Sequence, residues 1–174
     1  MSELILVITL IFLVLVLVLG TSVLLAAFIT GVPFVPTNKA VLQRMIQIAP
    51  LKKGDTCYDL GSGLGHILFE IPSNIKRIGY ERIVFLVWGS RVKNIWKRES
   101  VEFYQKDFFL ADLKKADAIF CYLFPQIMER FYQEIWPTLP KGCRVISNGF
   151  PLSPVEATQI IKMNSGTLYL YIKP

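Results

Sequence analysis

A glycine-rich loop that follows an apolar segment constrains the fold of this chain more than any other feature. Thr56–Leu60 is rich in β-forming, apolar residues and predicts a buried strand. Three glycines follow it at alternate positions: Gly61, Gly63 and Gly65. Because glycine has no Cβ, they allow a tight turn into a helix beginning near His66 and let a ligand approach the backbone. Asp59, two residues before the first glycine, favours a loop that binds a nucleoside cofactor over an empty loop.

The glycine spacing separates two classes of cofactor. The dinucleotide fingerprint G-x-G-x-x-G keeps a third glycine where this chain has His66, and an imidazole there would crowd a pyrophosphate. The observed D-x-G-x-G-x-G instead resembles motif I of the S-adenosylmethionine (SAM)-dependent methyltransferases with a Rossmann-like sheet, whose cofactor has no phosphate. This resemblance implies SAM as the cofactor, bound at Asp59, Gly61, Ser62, Gly63 and Gly65.

A second acidic residue lies where an adenosine cofactor needs one. Lys76–Glu81 predicts a second strand that ends in a carboxylate, 22 residues after Asp59, which is the usual length of a βαβ crossover. A carboxylate at this strand end can accept both ribose hydroxyls. NAD enzymes use the same position, so Glu81 indicates adenosine more than a methyl donor, and an exposed strand-end charge is the alternative.

The segment after the third predicted strand holds two further candidates. Asp107 and Phe108 follow Val101–Gln105 and resemble the place where the methyltransferases bind the adenine amino group with an acid and cover the ring with an apolar side chain. A helix N-cap is the alternative role of Asp107.

The remaining segments complete one α/β domain, 50–174, with a doubly wound, mostly parallel, Rossmann-like sheet. A closing antiparallel hairpin fits the methyltransferase fold and is not expected in a plain dinucleotide domain. The predicted elements are helices at Ile83–Lys97 and Gln126–Trp136, strands at Asp117–Leu123 and Gly142–Ser147, and a hairpin of Thr158–Lys162 with Thr167–Lys173.

An aromatic segment ends the fourth predicted strand. Ligands of open α/β sheets bind outside the carboxyl ends of the strands, where strand order reverses, and the first and fourth strands flank that point in the methyltransferase topology. We therefore expect Tyr122 to shape the methyl-transfer pocket, with Phe124 and Pro125 at its entrance. Aromatic faces stabilise cationic groups. Core packing is the alternative for both aromatic residues.

The N-terminus predicts a transmembrane anchor, 1–30. Leu4–Ile29 comprises 26 uncharged residues, enough to cross a bilayer with some tilt. A cleavable signal peptide is the rival, but it has a basic n-region and a shorter apolar run, whereas this start carries Glu3. The basic residues that follow, Lys39, Arg44, Lys52 and Lys53, place the domain on the cytoplasmic side of a single-pass protein.

Charge and cysteine content narrow the partners. The net charge of +6 fits a domain held against an anionic membrane, while the scattered basic residues favour no nucleic-acid partner. No Arg-rich transit segment precedes the anchor, so a bacterial plasma membrane is the first expectation and the mitochondrial inner membrane the alternative. An odd number of cysteines without C-x-x-C spacing predicts neither disulfides nor a metal site: Cys57, Cys121 and Cys143.

The linker and first helix, 31–49, carry a more specific resemblance. Pro33-Phe34-Val35-Pro36-Thr37 precedes the glycine loop, and Gly-Tyr-Glu at 79–81 and Leu-Val-Trp at 86–88 follow it. This series is similar to the small membrane-anchored protein-lysine methyltransferases of mitochondria, which act on the adenine nucleotide translocase and on the c-ring protein of ATP synthase. The resemblance implies a lysine acceptor on a membrane protein and places Pro33, Phe34, Val35, Pro36 and Thr37 over the cofactor and substrate entrance.

Departures from that family leave alternatives open. The family has an acidic residue at Leu64, an arginine at His66 and Asn-Pro at 83–84. A methyltransferase acting on a lipid or small isoprenoid, and a non-catalytic membrane adaptor with the same fold, remain alternatives. A lysine acceptor needs no catalytic dyad, because a desolvated pocket lowers the pKa of the amine and orientation supplies most of the rate.

Overall fold

A computed structural model describes the backbone of residues 2–30 and 37–174 and the side chains of 3–21 and 37–174. The chain divides into two units between Pro36 and Thr37. The first contains helix α1 (Ser2–Thr30). Its segment Glu3–Thr21 is long and apolar enough to cross a membrane, a criterion of length and composition that a signal sequence near an N-terminus also meets.

Seven strands within residues 37–174 form one sheet. They are β1 (Thr56–Leu60), β2 (Lys76–Glu81), β3 (Glu102–Gln105), β4 (Ala118–Cys121), β5 (Arg144–Asn148), β6 (Gln159–Met163) and β7 (Gly166–Ile172). Their order is β3-β2-β1-β4-β5-β7-β6, parallel from β1 to β5, with β7 antiparallel to both of its neighbours. The predicted Rossmann-like sheet with a closing hairpin is confirmed, and strand order reverses between β1 and β4.

Three helices accompany the sheet: α2 (Lys39–Ile48), α3 (Val84–Lys97) and α4 (Pro125–Glu134). Asn38 caps α2, since its Oδ1 accepts a hydrogen bond of 2.9 Å from the Ala40 N–H. Buried side chains of α2 join one core cluster and those of α4 join another. The three cysteines are free and buried in strands or beside them.

The helix expected near His66 is wrong. Residues 66–70 form only turns, with hydrogen bonds from Phe69 N–H to Gly65 O (3.1 Å) and from Ile71 N–H to Ile67 O (3.2 Å). Pro72 has no N–H and disfavours helix in the residue before it, so the turns cannot extend. The buried Arg77 guanidinium donates to the freed Ile71 carbonyl at 3.1 Å and pairs with Glu99 at 2.9 Å. A short, side-chain-capped connection therefore replaces the first crossover helix.

Candidate active site

Glu81 ties the glycine loop to the end of β2. Its Oε2 accepts the Gly63 N–H at 3.0 Å, and its Oε1 accepts the N–H groups of Arg82 and Ile83 at 2.8 and 2.9 Å. A carboxylate offers about four acceptor sites, so one site on Oε2 stays free for a ligand hydroxyl. The expected contact to both ribose hydroxyls is thus limited to one while this loop geometry holds.

The glycines of the loop have different surroundings. All three have positive φ: Gly61 81°, Gly63 52° and Gly65 73°. A Cβ on Gly65 would lie 2.4 Å from Phe103 Cζ, so this glycine allows the turn to pack on the β3 side chain. A Cβ on Gly61 would meet only Leu123 Cδ2, at 3.8 Å, and Gly61 is exposed. Gly61 faces open space where a ligand can approach, whereas Gly65 serves packing.

Asp59 and Ser62 are buried polar residues at the same edge of the sheet. Burial raises the pKa of Asp59 to about 8, and the negative charge of Glu81 adds to the shift. Ser62 Oγ has no hydrogen-bond partner among the described residues. It occupies space that a Cβ on Gly79 would enter, at 2.7 Å, so the glycine of Gly-Tyr-Glu makes room for the serine. An unpartnered hydroxyl and a partly neutral carboxyl suit a site completed by a polar ligand.

Asp107 and Phe108 lie in the loop after β3. Asp107 Oδ1 accepts the Phe109 N–H at 3.1 Å and caps a single 3₁₀ turn, as the N-cap alternative predicts. Its Oδ2 lies 3.9 Å from Arg82 Nη1. Phe108 is buried against Phe109, with ring centroids 4.6 Å apart. Lys106 N–H donates to Glu81 O at 3.0 Å, which holds the loop beside the carboxylate, and adenine recognition there stays a prediction.

An aromatic cluster lies at the carboxyl ends of β4 and β5. Tyr122, 39% exposed, stacks on Phe150 with centroids 6.4 Å apart and planes 21° apart, and Phe124 lies 5.6 Å from the same ring. Ser147 Oγ donates to Phe150 O at 2.6 Å and fixes the backbone beneath the cluster. A Cβ on Gly149 would lie 3.0 Å from Tyr122 Cε2, so glycine allows this approach.

Phe150 is the site residue that the sequence prediction missed. The available signal was its position just after the fifth predicted strand, which matches that of Tyr122 after the fourth. Pro125 is the exposed first residue of α4. Thr37 is half-buried, while Pro33, Phe34, Val35 and Pro36 lie outside the described residues.

The two departures in the glycine loop have structural contexts. A Cβ on Gly89 of α3 would lie 2.8 Å from Leu64 Cδ2, so an apolar residue at 64 contacts this helix. Burial lowers the pKa of His66, and the positive charge of Lys93 lowers it further. His66 is thus neutral at pH 7. Within the described side chains, no group of three or more His, Cys, Asp or Glu residues is placed to hold a metal ion.

Comparisons with known proteins agree with this geometry. A protein-lysine N-methyltransferase of Saccharolobus islandicus is 29% identical over 84% of this chain and 96% of its own length. The lysine N-methyltransferase of Homo sapiens that is named for the c-ring protein of ATP synthase is 28% identical over 80% of this chain, which spans 60% of that protein. The RNA methyltransferase of Salinibacter ruber, solved with S-adenosyl-L-homocysteine, superposes with a TM-score of 0.77 at 29% identity, covering 80% of this chain and 94% of that one.

The sheet order, the glycine loop and these similarities define a SAM-dependent methyltransferase. The family profile described as the ANTKMT methyltransferase domain matches residues 59–159. The chain therefore belongs to that family, as the resemblance predicted, and the non-catalytic adaptor is set aside.

Proposed function

We propose that this chain is a membrane-anchored protein-lysine N-methyltransferase that modifies a membrane protein. The observation that carries the lysine assignment is the similarity to the Saccharolobus islandicus protein-lysine N-methyltransferase over nearly its whole length. The mammalian relatives named for the ATP synthase c-ring protein and the adenine nucleotide translocase support an acceptor in a membrane.

The edge formed by β1 and β2 supplies the proposed cofactor site. The free acceptor site on Glu81 Oε2 suits a ribose hydroxyl, and the open backbone at Gly61 admits the amino acid part of SAM. The Ser62 hydroxyl gains a partner there, and Asp107 with Phe108 borders the adenine. SAM supplies an electrophilic methyl group on a sulfonium. The chain's own contribution is to bind and orient it.

The aromatic cluster of Tyr122, Phe124 and Phe150 is the proposed lysine-binding surface. Ring faces attract the incoming ammonium, and burial against them favours loss of its proton to water by lowering its pKa. The neutral amine nitrogen then forms the new N–C bond while the electron pair of the broken S–C bond returns to sulfur. Alignment of this displacement supplies most of the rate, which agrees with the lack of a predicted acid–base pair.

The proposed organisation follows from α1. We infer an anchor at 1–30, a linker and first helix at 31–49, and the catalytic domain at 50–174, with Pro33–Thr37 near the substrate entrance. Charge asymmetry favours a single-pass protein with its domain on the cytoplasmic side. A bacterial plasma membrane is the proposed location, and the mitochondrial inner membrane is the alternative.

Radiolabel transfer tests this function. The full chain is incubated with membranes of its source organism and methyl-labelled SAM, and label is counted separately in protein, lipid and RNA. We expect label on the side-chain nitrogen of a lysine in an integral membrane protein, and loss of that label with Glu81→Gln. Label confined to lipid would support the lipid alternative, and label confined to RNA would support the activity named for the Salinibacter ruber protein. Either result rejects the lysine assignment.

A further inference from the structure

One face of α3 is apolar and exposed. Four large side chains at helical spacing form it, with exposures of 55% for Phe85, 69% for Trp88, 74% for Ile95 and 85% for Trp96. Val84 extends the face at 48% exposure. The opposite side of the helix buries Val87 and Ser90 against the sheet. Two tryptophans exposed on one helix mark a contact surface, because water-exposed apolar side chains of this size are unfavourable.

The charges of α3 fit an anionic partner. The helix carries Arg91, Lys93 and Lys97 and contains no aspartate or glutamate, and Arg98 caps its C-terminus. Lys93 and Lys97 lie over the ring of Phe69, at 4.8 and 5.6 Å from its centroid. An apolar stripe with tryptophan, basic residues beside it and no acidic residue is the pattern of a helix lying in a membrane interface.

Chain length brings this helix within reach of a bilayer. Six residues, 31–36, connect α1 to Thr37. A six-residue segment spans at most about 20 Å, so an α1 that crosses a membrane keeps the domain close to that membrane's surface. The first turn of α3 also borders the candidate site, because the Ile83 N–H donates to Glu81 Oε1.

We propose that the face formed by Val84, Phe85, Trp88, Ile95 and Trp96, the α3 face, lies in the headgroup region of an anionic bilayer. This second contact rests on the proposed anchor and would hold the domain in one orientation. Because α3 begins just after Glu81, the rim of the candidate cofactor site would then face the membrane. A lysine of a membrane protein near the bilayer surface would be within its reach.

Tryptophan fluorescence of the full chain in vesicles tests the α3 face. The probes are vesicles of phosphatidylcholine and phosphatidylglycerol with or without bromine on the acyl chains, since bromine quenches nearby indoles. The third tryptophan, Trp136, is buried and serves as an internal reference. We expect brominated lipid to quench the wild-type emission, and most of that quenching to disappear with the double substitution Trp88→Phe and Trp96→Phe. Phosphatidylcholine alone should give weaker quenching.

The outcomes separate this proposal from those on which it rests. Alkaline carbonate extraction reports the anchor, and calorimetric titration with SAM reports the fold and the cofactor site of both proteins. Retention in the membrane with no quenching, or with equal quenching in the double variant, overturns the α3 contact and leaves the anchor and enzyme standing. A cross-linked dimer in place of quenching assigns the face to a second copy and also overturns it. Release by carbonate overturns both anchor and α3 contact but not the methyltransferase.

Discussion

Strand β1 has an aspartate near each end, and the two carboxyl groups are in opposite electrostatic states. Burial alone would raise the pKa of Asp55, but hydrogen bonds from the Lys52 N–H (2.8 Å) and the Arg144 guanidinium (2.7 Å) lower it below its ordinary value. At the other end, burial and the charge of Glu81 raise the pKa of Asp59 to about 8. The length of one short strand thus separates a stabilised carboxylate from a destabilised one.

The difference shows which end of the sheet serves stability and which serves binding. Arg144 also donates to the carbonyls of Asp117 (2.9 Å) and Pro50, so the amino end is a closed network. The carboxyl end has an unpartnered Ser62 hydroxyl and a free acceptor site on Glu81. Polar groups left without partners at one end, beside fully paired ones at the other, are typical of a scaffold that carries a ligand site.

The largest expected effect is at the amino end. Arg144→Met removes the cation from a buried network and leaves Asp55 and two carbonyls without their donor. We expect it to cost about 3 to 5 kcal/mol of the free energy of unfolding. Urea denaturation of the full chain in detergent measures this, and calorimetry at low temperature should find an unchanged Kd for SAM. A weakened Kd in the folded variant would mean that the two ends are not independent.

The glycine pair gives the next effect. Gly65→Ala introduces a Cβ 2.4 Å from Phe103 Cζ at a φ of 73°, so strain and overpacking together should cost about 3 kcal/mol. Gly61→Ala is the matched control, because its φ of 81° is equally strained while its Cβ meets only open space and Leu123. We expect about 1 kcal/mol for this control. Equal losses in urea denaturation would refute the packing role of Gly65.

Glu81→Gln should act mainly on binding. The substitution removes a charge and places an amide donor against the Gly63 N–H or takes an acceptor from α3. We expect SAM affinity to fall at least about tenfold, or 1.4 kcal/mol, with a smaller change in stability. Isothermal calorimetry measures the Kd, with Glu134→Gln, an exposed carboxylate paired to Arg130, as the control. Wild-type affinity in Glu81→Gln would remove this residue from the cofactor site.

The pH dependence of stability gives the smallest effect per step. A carboxyl whose folded pKa lies near 8 against an ordinary 3.8 favours folding when protonated, so its stabilisation is lost as pH rises from about 4 to 8. Asp55 has the opposite sign, because its lowered pKa stabilises above pH 4 and that contribution is lost on acidification. Asp59→Asn should flatten the decline above pH 4, by less than about 1.4 kcal/mol per pH unit. Parallel melting-temperature profiles for wild type and variant would contradict the raised pKa.

Much of the fold was predictable because its signals are local. Thr56–Leu60 and Lys76–Glu81 have the bounds expected from their composition. The helix near His66 failed because Pro72 and the buried Arg77 offered the backbone a different set of partners. Arg77 is charged, so sequence reasoning had no reason to place it in the core. The glycine loop was found readily, but its separation into Gly61, facing open space, and Gly65, packing on Phe103, depends on a strand about forty residues away.

The sequence by itself determined the class of cofactor, the order of strands and helices, and the apolar N-terminal segment, because glycine spacing, alternation and length act over a few residues. Tertiary structure decided which groups meet. Parallel pairing of β4 with β5 brings Phe150 onto Tyr122 and Phe124, and the position of Arg144 at the start of β5 brings it to Asp55. Packing of α3 on the sheet also decides that its tryptophans face outward. These contacts join residues far apart in the chain, so only the folded sheet specifies them.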